Sequence, residues 1–303
     1  MENKNVRNHF NIYRWRLTCF IILSACAFLL NYNLVFADLN LNNITIYPDK
    51  TSNGDVALIK ITAVKNACSA SIIFQDKKTS LEFDNASNEY FGLIAVDQDT
   101  KAGDTDLKIL INNEININVK LKICKKDFPV QHLSLPKSKV NLSKEDLKRH
   151  YKEKEIVSKI FDNAINRKIF NSTFIFPLNN EISTPFGVRR YMNNQPKNPH
   201  SGIDLKAKLS EPIKSINKGI VVFTGNHFFS GKSVYVDHGL GIISMYFHLS
   251  EIKVTKGDPV NKGDIVGLAG STGRSTGPHL HWGIRVNNIK VDPQSLIDLN
   301  PYL

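Results

Sequence analysis

Asn198-Pro-His-Ser-Gly-Ile-Asp-Leu205 and Gly277-Pro-His-Leu-His-Trp-Gly283 set the organisation of this 303-residue chain. Side chains repeat every two residues along a strand, so His200 and Asp204 are expected on one face, as are His279 and His281. Two short strands of this kind converge four ligating groups on one point. Zinc accepts imidazole nitrogen and carboxylate oxygen, and a hydrolytic zinc site keeps three protein ligands and a position for water. Four candidates therefore leave one histidine over, placed to take a proton or stabilise an oxyanion. A single histidine is more often a surface or satisfied core residue. Against that, His200, His238, His248, His279 and His281 all fall after residue 199, in a stretch dense with glycine and strand-like runs. The Gly and Pro flanking each pair suggest tight turns that let backbone and substrate approach closely.

Working outward, Phe186-Gly-Val-Arg-Arg190, His200-Ser-Gly-Ile-Asp204, Tyr246-Phe-His-Leu249, Lys262-Gly-Asp264 and Gly270-Ser-Thr-Gly-Arg-Ser-Thr-Gly-Pro-His-Leu-His-Trp-Gly283 follow one another in order. This series resembles the LytM/lysostaphin-type zinc metallopeptidases over roughly the last ~130 residues, about the size of one domain. The resemblance implies that His200, Asp204 and His281 hold one Zn2+ and that His248 and His279 are the catalytic histidines. It implies hydrolysis of peptide cross-links or stems of peptidoglycan, and in periplasmic relatives the D-alanyl to diaminopimelyl cross-link, a D,D-endopeptidase reaction.

Zinc at such a site polarises the scissile carbonyl and brings the pKa of water toward about 7. One of His248 and His279 would remove the proton, and the other would face the oxyanion or protonate the leaving amine; the sequence does not say which. Tyr191, nine residues before His200, could donate to the oxyanion as an upstream tyrosine does in some relatives, or be a packed aromatic after a turn. Arg189 and Arg190 could hold a substrate carboxylate through bidentate hydrogen bonds, or be solvated charge. His238, in Val236-Asp-His-Gly239, reads as structural. His227, between Gly225 and Gly231, lies in a hairpin loop that could touch substrate.

Two other functional classes compete with the enzyme. Non-catalytic relatives bind and activate a cell-wall amidase, but those usually lack metal ligands, whereas all three ligand positions and both catalytic histidines are present. A secreted enzyme acting on another cell's wall would be expected to carry a separate wall-binding module, and none of the familiar sort is visible.

The N-terminus has the layout of a secretory leader. Lys4, Arg7, Arg14 and Arg16 oppose Glu2, and Leu17 to Leu30 is apolar apart from Thr18 and Ser24. That apolar run is short for a membrane span. Cleavage after Ala37, giving a periplasmic or secreted protein, is the first expectation. Leu23-Ser-Ala-Cys26 also resembles a lipoprotein box that would leave a lipidated Cys26, and an uncleaved anchor is the third option. Membrane contact is expected only through this segment.

If Cys19 and Cys26 leave with the leader, Cys68 and Cys124 remain. In an oxidising compartment they are expected to pair, which would contribute about 4 kcal/mol in the chain-entropy model. The formal net charge is +11, and losing the leader keeps the chain basic. An anionic polymer suits that charge. Nucleic acid is not expected, because aromatic-basic RNA signatures and zinc-finger spacings are missing.

The expected fold class is mainly β, in four parts: a leader at 1–37, a β-sandwich-like domain at 38–130, a helical linker at 131–172, and an antiparallel β metallopeptidase domain at 173–303. Alternating runs such as Val56-Ala-Leu-Ile-Lys-Ile61 and Ile115-Asn-Ile-Asn-Val-Lys-Leu121, separated by Asn, Asp, Gly and Lys turns, carry the first domain. Its layout resembles the immunoglobulin-like N-terminal domain of some periplasmic relatives. It could position the enzyme on the wall, cover the cleft, or bind a regulatory protein partner. Leu147, Tyr151, Val157, Ile160, Phe161, Ala164, Ile165 and Ile169 then follow helical spacing, with Ser143 as N-cap and Asp146 near the positive helix end. That helix is expected to dock both domains.

Overall fold

The alternating runs before residue 125 form eight strands: β1 (Ile44–Tyr47), β2 (Thr51–Ser52), β3 (Val56–Thr62), β4 (Ala70–Phe74), β5 (Lys77–Asp84), β6 (Glu89–Ala95), β7 (Gly103–Ile111) and β8 (Glu114–Cys124). The computed structural model describes residues 41–63, 67–134 and 143–303; the expected leader, Ala37, Cys19 and Cys26 lie outside them. Among the described residues no helix is long and apolar enough to cross a membrane.

The strands run in the order β1-β3-β6-β5-β4-β7-β8-β2. β5 pairs with β4 along Lys77 to Leu81 and with β6 along Glu82 to Asp84, so it belongs to both halves of the sheet. Between the halves lies an apolar core of Ala57, Ile59 and Ile61 from β3 with Ile72, Leu107 and Ile109. The alternate residues of β3 and β6, Val56, Leu58, Phe91, Leu93 and Ala95, belong instead to a core shared with Trp282, Val291 and Leu296. Both faces of these strands are thus covered, which explains why Val56 to Ile61 reads as nearly continuous apolar sequence.

Polar contacts accompany that packing. Val56 N–H donates to Ser295 Oγ at 3.1 Å and Asp292 N–H to Gly54 O at 2.7 Å. Lys126 Nζ sits 2.8 Å from both Asp55 and Asp292, tying the two sequence regions together.

Cys68 and Cys124 are not bonded to each other. The N–H of Cys68 donates to Asn112 in the β7–β8 turn, whereas Cys124 ends β8, an 11-residue strand that starts at that turn. A strand advances about 3.3 Å per residue and a disulfide needs Cα atoms about 5.5–6 Å apart, so the expected pairing is excluded by the length of the ladder.

Helix α1 (Lys144–Asp162) starts where the capping signal places it: Ser143 Oγ accepts from Asp146 N–H at 3.0 Å. It stops short of the expected end. Ile165 N–H donates to Asp237 Oδ2, and the N–H groups of Ile169 and Phe170 to His238 O. Those donors are therefore unavailable to the helix, and Ala164, Ile165 and Ile169 are not helical. Phe161 packs α1 onto Tyr235, Ile243 and Met245. Contact with the N-terminal strands comes from the segment after the helix, where Lys168 Nζ lies 5.1 Å from the centre of the Phe91 ring.

The C-terminal region is built on β10 (Ile182–Thr184), β13 (Ile203–Lys206), β15 (Gly219–His227), β16 (Gly231–Gly239), β17 (Ile242–Leu249), β19 (Pro259–Val260), β21 (His279–Val286) and β22 (Ile289–Val291). Their order is β10-β13-β21-β17-β16-β15-β19, with β22 on β21. A smaller sheet joins β14 (Pro212–Lys214), β20 (Ile265–Leu268) and β18 (Glu251–Ile252), and helix α2 (Pro293–Asp298) follows β22. A third sheet orders β12 (Gln195–Pro196), β11 (Arg189–Met192) and β9 (Val130–Leu133), with β9 parallel to β11.

His238 is structural, as its phrase suggests. Its Nδ1 lies 2.9 Å from Lys218 O and its Nε2 2.8 Å from Ser244 Oγ, which in turn lies 2.9 Å from the Tyr246 hydroxyl. Complete burial pushes its pKa down to about 4. Between that value and about 6.5 the unfolded chain binds a proton that the folded chain refuses, so stability falls as pH drops through this window and is flat above it. His238 alone is expected to contribute a slope of up to about 1.4 kcal/mol per pH unit there. Denaturant midpoints measured from pH 4 to 7 on the parent and on His238→Gln check this. An equal slope in both would contradict it.

Candidate metal and catalytic site

In β13, Ile203 and Leu205 point into the core and Asp204 points the other way; in β21, Leu280 and Trp282 are buried and His279 and His281 occupy the opposite face. The two strands pair with Asp204 opposite His281 and Lys206 opposite His279. One register thus brings the carboxylate and the H-x-H pair together. His200 is not on the strand, as the period-two reading expected, but in the loop before it. Its backbone is held by β11 and its approach, with His200 N–H donating to Val188 O and Gly187 N–H to His200 O. Gly202 makes this crossing possible: a Cβ there would lie 2.3 Å from Trp282 O.

The donors form a close triangle. His200 Nε2 lies 2.9 Å from Asp204 Oδ1 and 2.9 Å from His281 Nδ1, and His281 Nδ1 lies 2.8 Å from Asp204 Oδ1. His200 Nδ1 lies 2.8 Å from Pro185 O, so the tautomer that donates Nδ1–H to that carbonyl leaves Nε2 for a metal. A backbone acceptor on the far nitrogen is the usual way to orient a metal-binding imidazole. Burial would raise the Asp204 carboxyl, but hydrogen bonds and charges from His200 and His281 outweigh it and hold the group well below the usual carboxylate range. Burial lowers His281. Two imidazole nitrogens and a carboxylate facing one another at these distances match the donor set of a hydrolytic zinc site.

His248 and His279 flank the triangle, their ring centres 4.8 Å apart. His279 Nε2 is 3.9 Å from Asp204 Oδ1. Both rings use Nδ1 on the main chain: His248 Nδ1 lies 2.8 Å from Thr272 O and His279 Nδ1 2.8 Å from Gly277 O. His248 has φ of 63°, a left-handed conformation unusual for a residue with a Cβ, and its N–H donates to Ser230 O at 2.8 Å. Burial is the main cause that lowers its pKa, to about 4, so the ring is neutral near pH 7.

The remaining candidates separate. Arg190 faces the triangle, with a guanidinium nitrogen 3.8 Å from Asp204 Oδ2. Its neighbour Arg189 points away, 3.1 Å from Asp99. Tyr191 stacks on His132 of β9, ring centres 4.9 Å apart and nearly parallel. His227 is buried and stacked on Phe223, where burial lowers its pKa. The tip beyond it matters more, because Ser230 holds His248 and Phe229 lies under the Arg274 guanidinium at 4.2 Å. Arg274 is the residue sequence reading passed over. The signal was present: it stands in the glycine-rich phrase between Thr272, which contacts His248, and Ser275, whose Oγ lies 3.3 Å from His279 Nδ1.

Residues 198–293 match the family model Peptidase family M23. The chain carries an M23 peptidase domain. All three metal-site residues and both flanking histidines fall inside the matched range. The M23 region is 38% identical over 122 residues to the DD-carboxypeptidase/endopeptidase Mpg of Neisseria meningitidis serogroup B, covering 40% of this chain and 28% of that protein. It is 42% identical over 94 residues to the peptidoglycan DD-endopeptidase ShyA of Vibrio cholerae serotype O1, covering 31% of this chain and 22% of that one. The chain therefore spans well under two thirds of these relatives. A crystal structure of a candidate M23 peptidase from Pseudomonas aeruginosa superposes with a TM-score of 0.64 at 29% identity, over 81% of this chain and 94% of that one.

Proposed function

We propose that the chain is a zinc-dependent endopeptidase that hydrolyses peptide cross-links of peptidoglycan outside the cytoplasm, as a D,D-endopeptidase. The observation that carries this reading is the triangle of His200 Nε2, Asp204 Oδ1 and His281 Nδ1 beside two histidines whose Nδ1 atoms are engaged by main-chain carbonyls. The names of the relatives supply the substrate class.

Zinc held by His200, Asp204 and His281 would supply a Lewis acid that acidifies water and polarises the scissile carbonyl. The chain's own part follows from its tautomers. With Nδ1–H donated to Thr272 O or Gly277 O, His248 and His279 each present an Nε2 lone pair able to accept the water proton and return it to the leaving amine. Arg190 would bind a substrate carboxylate. Tyr191 shares the face of β11 with Arg189, opposite Arg190, and stacks on His132, so on this reading it takes no part at the oxyanion.

Digestion of purified sacculi by the protein, read by mass spectrometry of the released muropeptides, tests the reading. Loss of cross-linked dimers with a matching gain of monomers is expected, and a zinc chelator should stop it. Intact dimers after digestion with zinc-loaded protein would count against it and favour an amidase-activating role.

A further inference from the structure

Helix α1 carries one stripe, Arg149, Glu153, Val157, Ile160 and Phe161, at the three- and four-residue spacing that shares a helix face. Its apolar half packs with Phe223 and Tyr235 on the body of the β15–β16 hairpin. Its polar half meets the hairpin tip. The strand ladder ends with His227 opposite Gly231, so the N–H of Phe228 has no partner within it. Glu153 takes that donor with both oxygens, Oε2 at 2.9 Å and Oε1 at 3.1 Å, and its side chain is only 14% exposed. Arg149 completes the clamp: Nε donates to Glu153 Oε1 at 2.7 Å and the guanidinium also donates to Asn226 O at 3.0 Å. His150 lies edge-on to Phe229, ring centres 4.9 Å apart.

The tip in turn holds His248. Ser230, two residues beyond Phe228, accepts from His248 N–H at 2.8 Å. Lys232 N–H donates to Thr272 Oγ1 at 2.9 Å, and Thr272 O is the carbonyl that engages His248 Nδ1. Gly231 permits this approach, since a Cβ there would lie 2.4 Å from Thr272. A left-handed φ at a residue with a Cβ persists only where the surroundings over-determine it. For His248, at 63°, those surroundings are the hairpin tip and the Thr272 loop. We propose that Glu153, which lies outside the range 198–293 matched to the peptidase family, is a positioning residue for His248. Through Phe228 it fixes the turn whose Ser230 carbonyl holds the His248 backbone. The proposal rests on the endopeptidase reading for what His248 does, but not for what holds it.

Two readouts on the zinc-loaded full chain test it: kcat and KM on a purified cross-linked muropeptide dimer, and backbone amide exchange at His248 followed by NMR, which reports local opening without reference to activity. Glu153→Ala is expected to lower kcat about 10- to 100-fold, the range for a misplaced reacting group, with KM within about twofold of the parent. Zinc content should be unchanged, and the His248 amide should exchange about tenfold faster. Glu153→Gln keeps an oxygen for the Phe228 N–H and should stay within about threefold of the parent in both readouts. Arg149→Ala, at a half-exposed side chain, should move both in the same direction by less, and it keeps the test open if Glu153→Ala does not fold. Parent-like exchange at His248 in the folded variants, parent-like kcat in Glu153→Ala, or a loss in Glu153→Gln as large as in Glu153→Ala would overturn the proposal. If the zinc-loaded parent leaves the dimer intact, the endopeptidase reading fails, and exchange at His248 alone decides whether Glu153 holds it.

Discussion

His281→Ala is expected to lose stoichiometric zinc and, with it, measurable turnover. His281 stands opposite Asp204 in the β13–β21 ladder and supplies the nitrogen 2.8 Å from its carboxylate and 2.9 Å from His200 Nε2. Loss of a group that merely orients a ligand costs about 10–100-fold in metal affinity or activity. Loss of the ligand itself must cost more, because two donors do not complete the site. Among the described residues the nearest substitute is His279, whose Nε2 comes only within 3.9 Å of Asp204 and whose ring is braced at Gly277. Metal analysis after dialysis, alongside muropeptide assay, checks this. One retained equivalent of zinc would remove His281 from the ligand set.

His248→Ala is expected to behave differently, keeping its zinc and losing about 10²- to 10⁴-fold in kcat, the range for a positioned general acid or base. Its ring centre is 6.2 Å from that of His281, and its polar contacts are with Thr272 O and Ser230 O rather than with the donors. The backbone there is left-handed within β17, and the N–H bond to Ser230 O that holds it does not depend on the ring, so alanine keeps the same backbone position. A variant with full activity would take His248 out of the chemistry. Loss of zinc would move it into the metal shell.

These contrasts show what could be read from the chain. The period-two phrases placed Asp204, His279 and His281 on one face because strand alternation is a local property, and Leu205, Leu280 and Trp282 as the inward partners follow from the same rule. His200 escaped that rule. Its position depends on a loop crossing Trp282 at Gly202, a contact between segments some eighty residues apart that no local pattern encodes. The cap of α1 was legible at Ser143, but its end was not, because the donors of Ile165, Ile169 and Phe170 are taken by Asp237 and His238 in a distant strand. The cysteine pairing failed for the same reason: loop length says nothing of which ends of a ladder the two thiols occupy. Arg189 and Arg190 looked equivalent in sequence and part company because adjacent residues of β11 face opposite ways. The face of β3 and β6 that packs toward Trp282, Val291 and Leu296 was visible only as an excess of apolar residues, without its partner.

Titration of metal-free protein with zinc, following cleavage of a purified cross-linked muropeptide dimer at each addition, tests the central claim most directly. The account predicts no cleavage without metal, a rise in proportion to added zinc and a plateau at one equivalent. Cleavage by the metal-free protein, or one tightly bound equivalent of zinc that brings no cleavage, would contradict it.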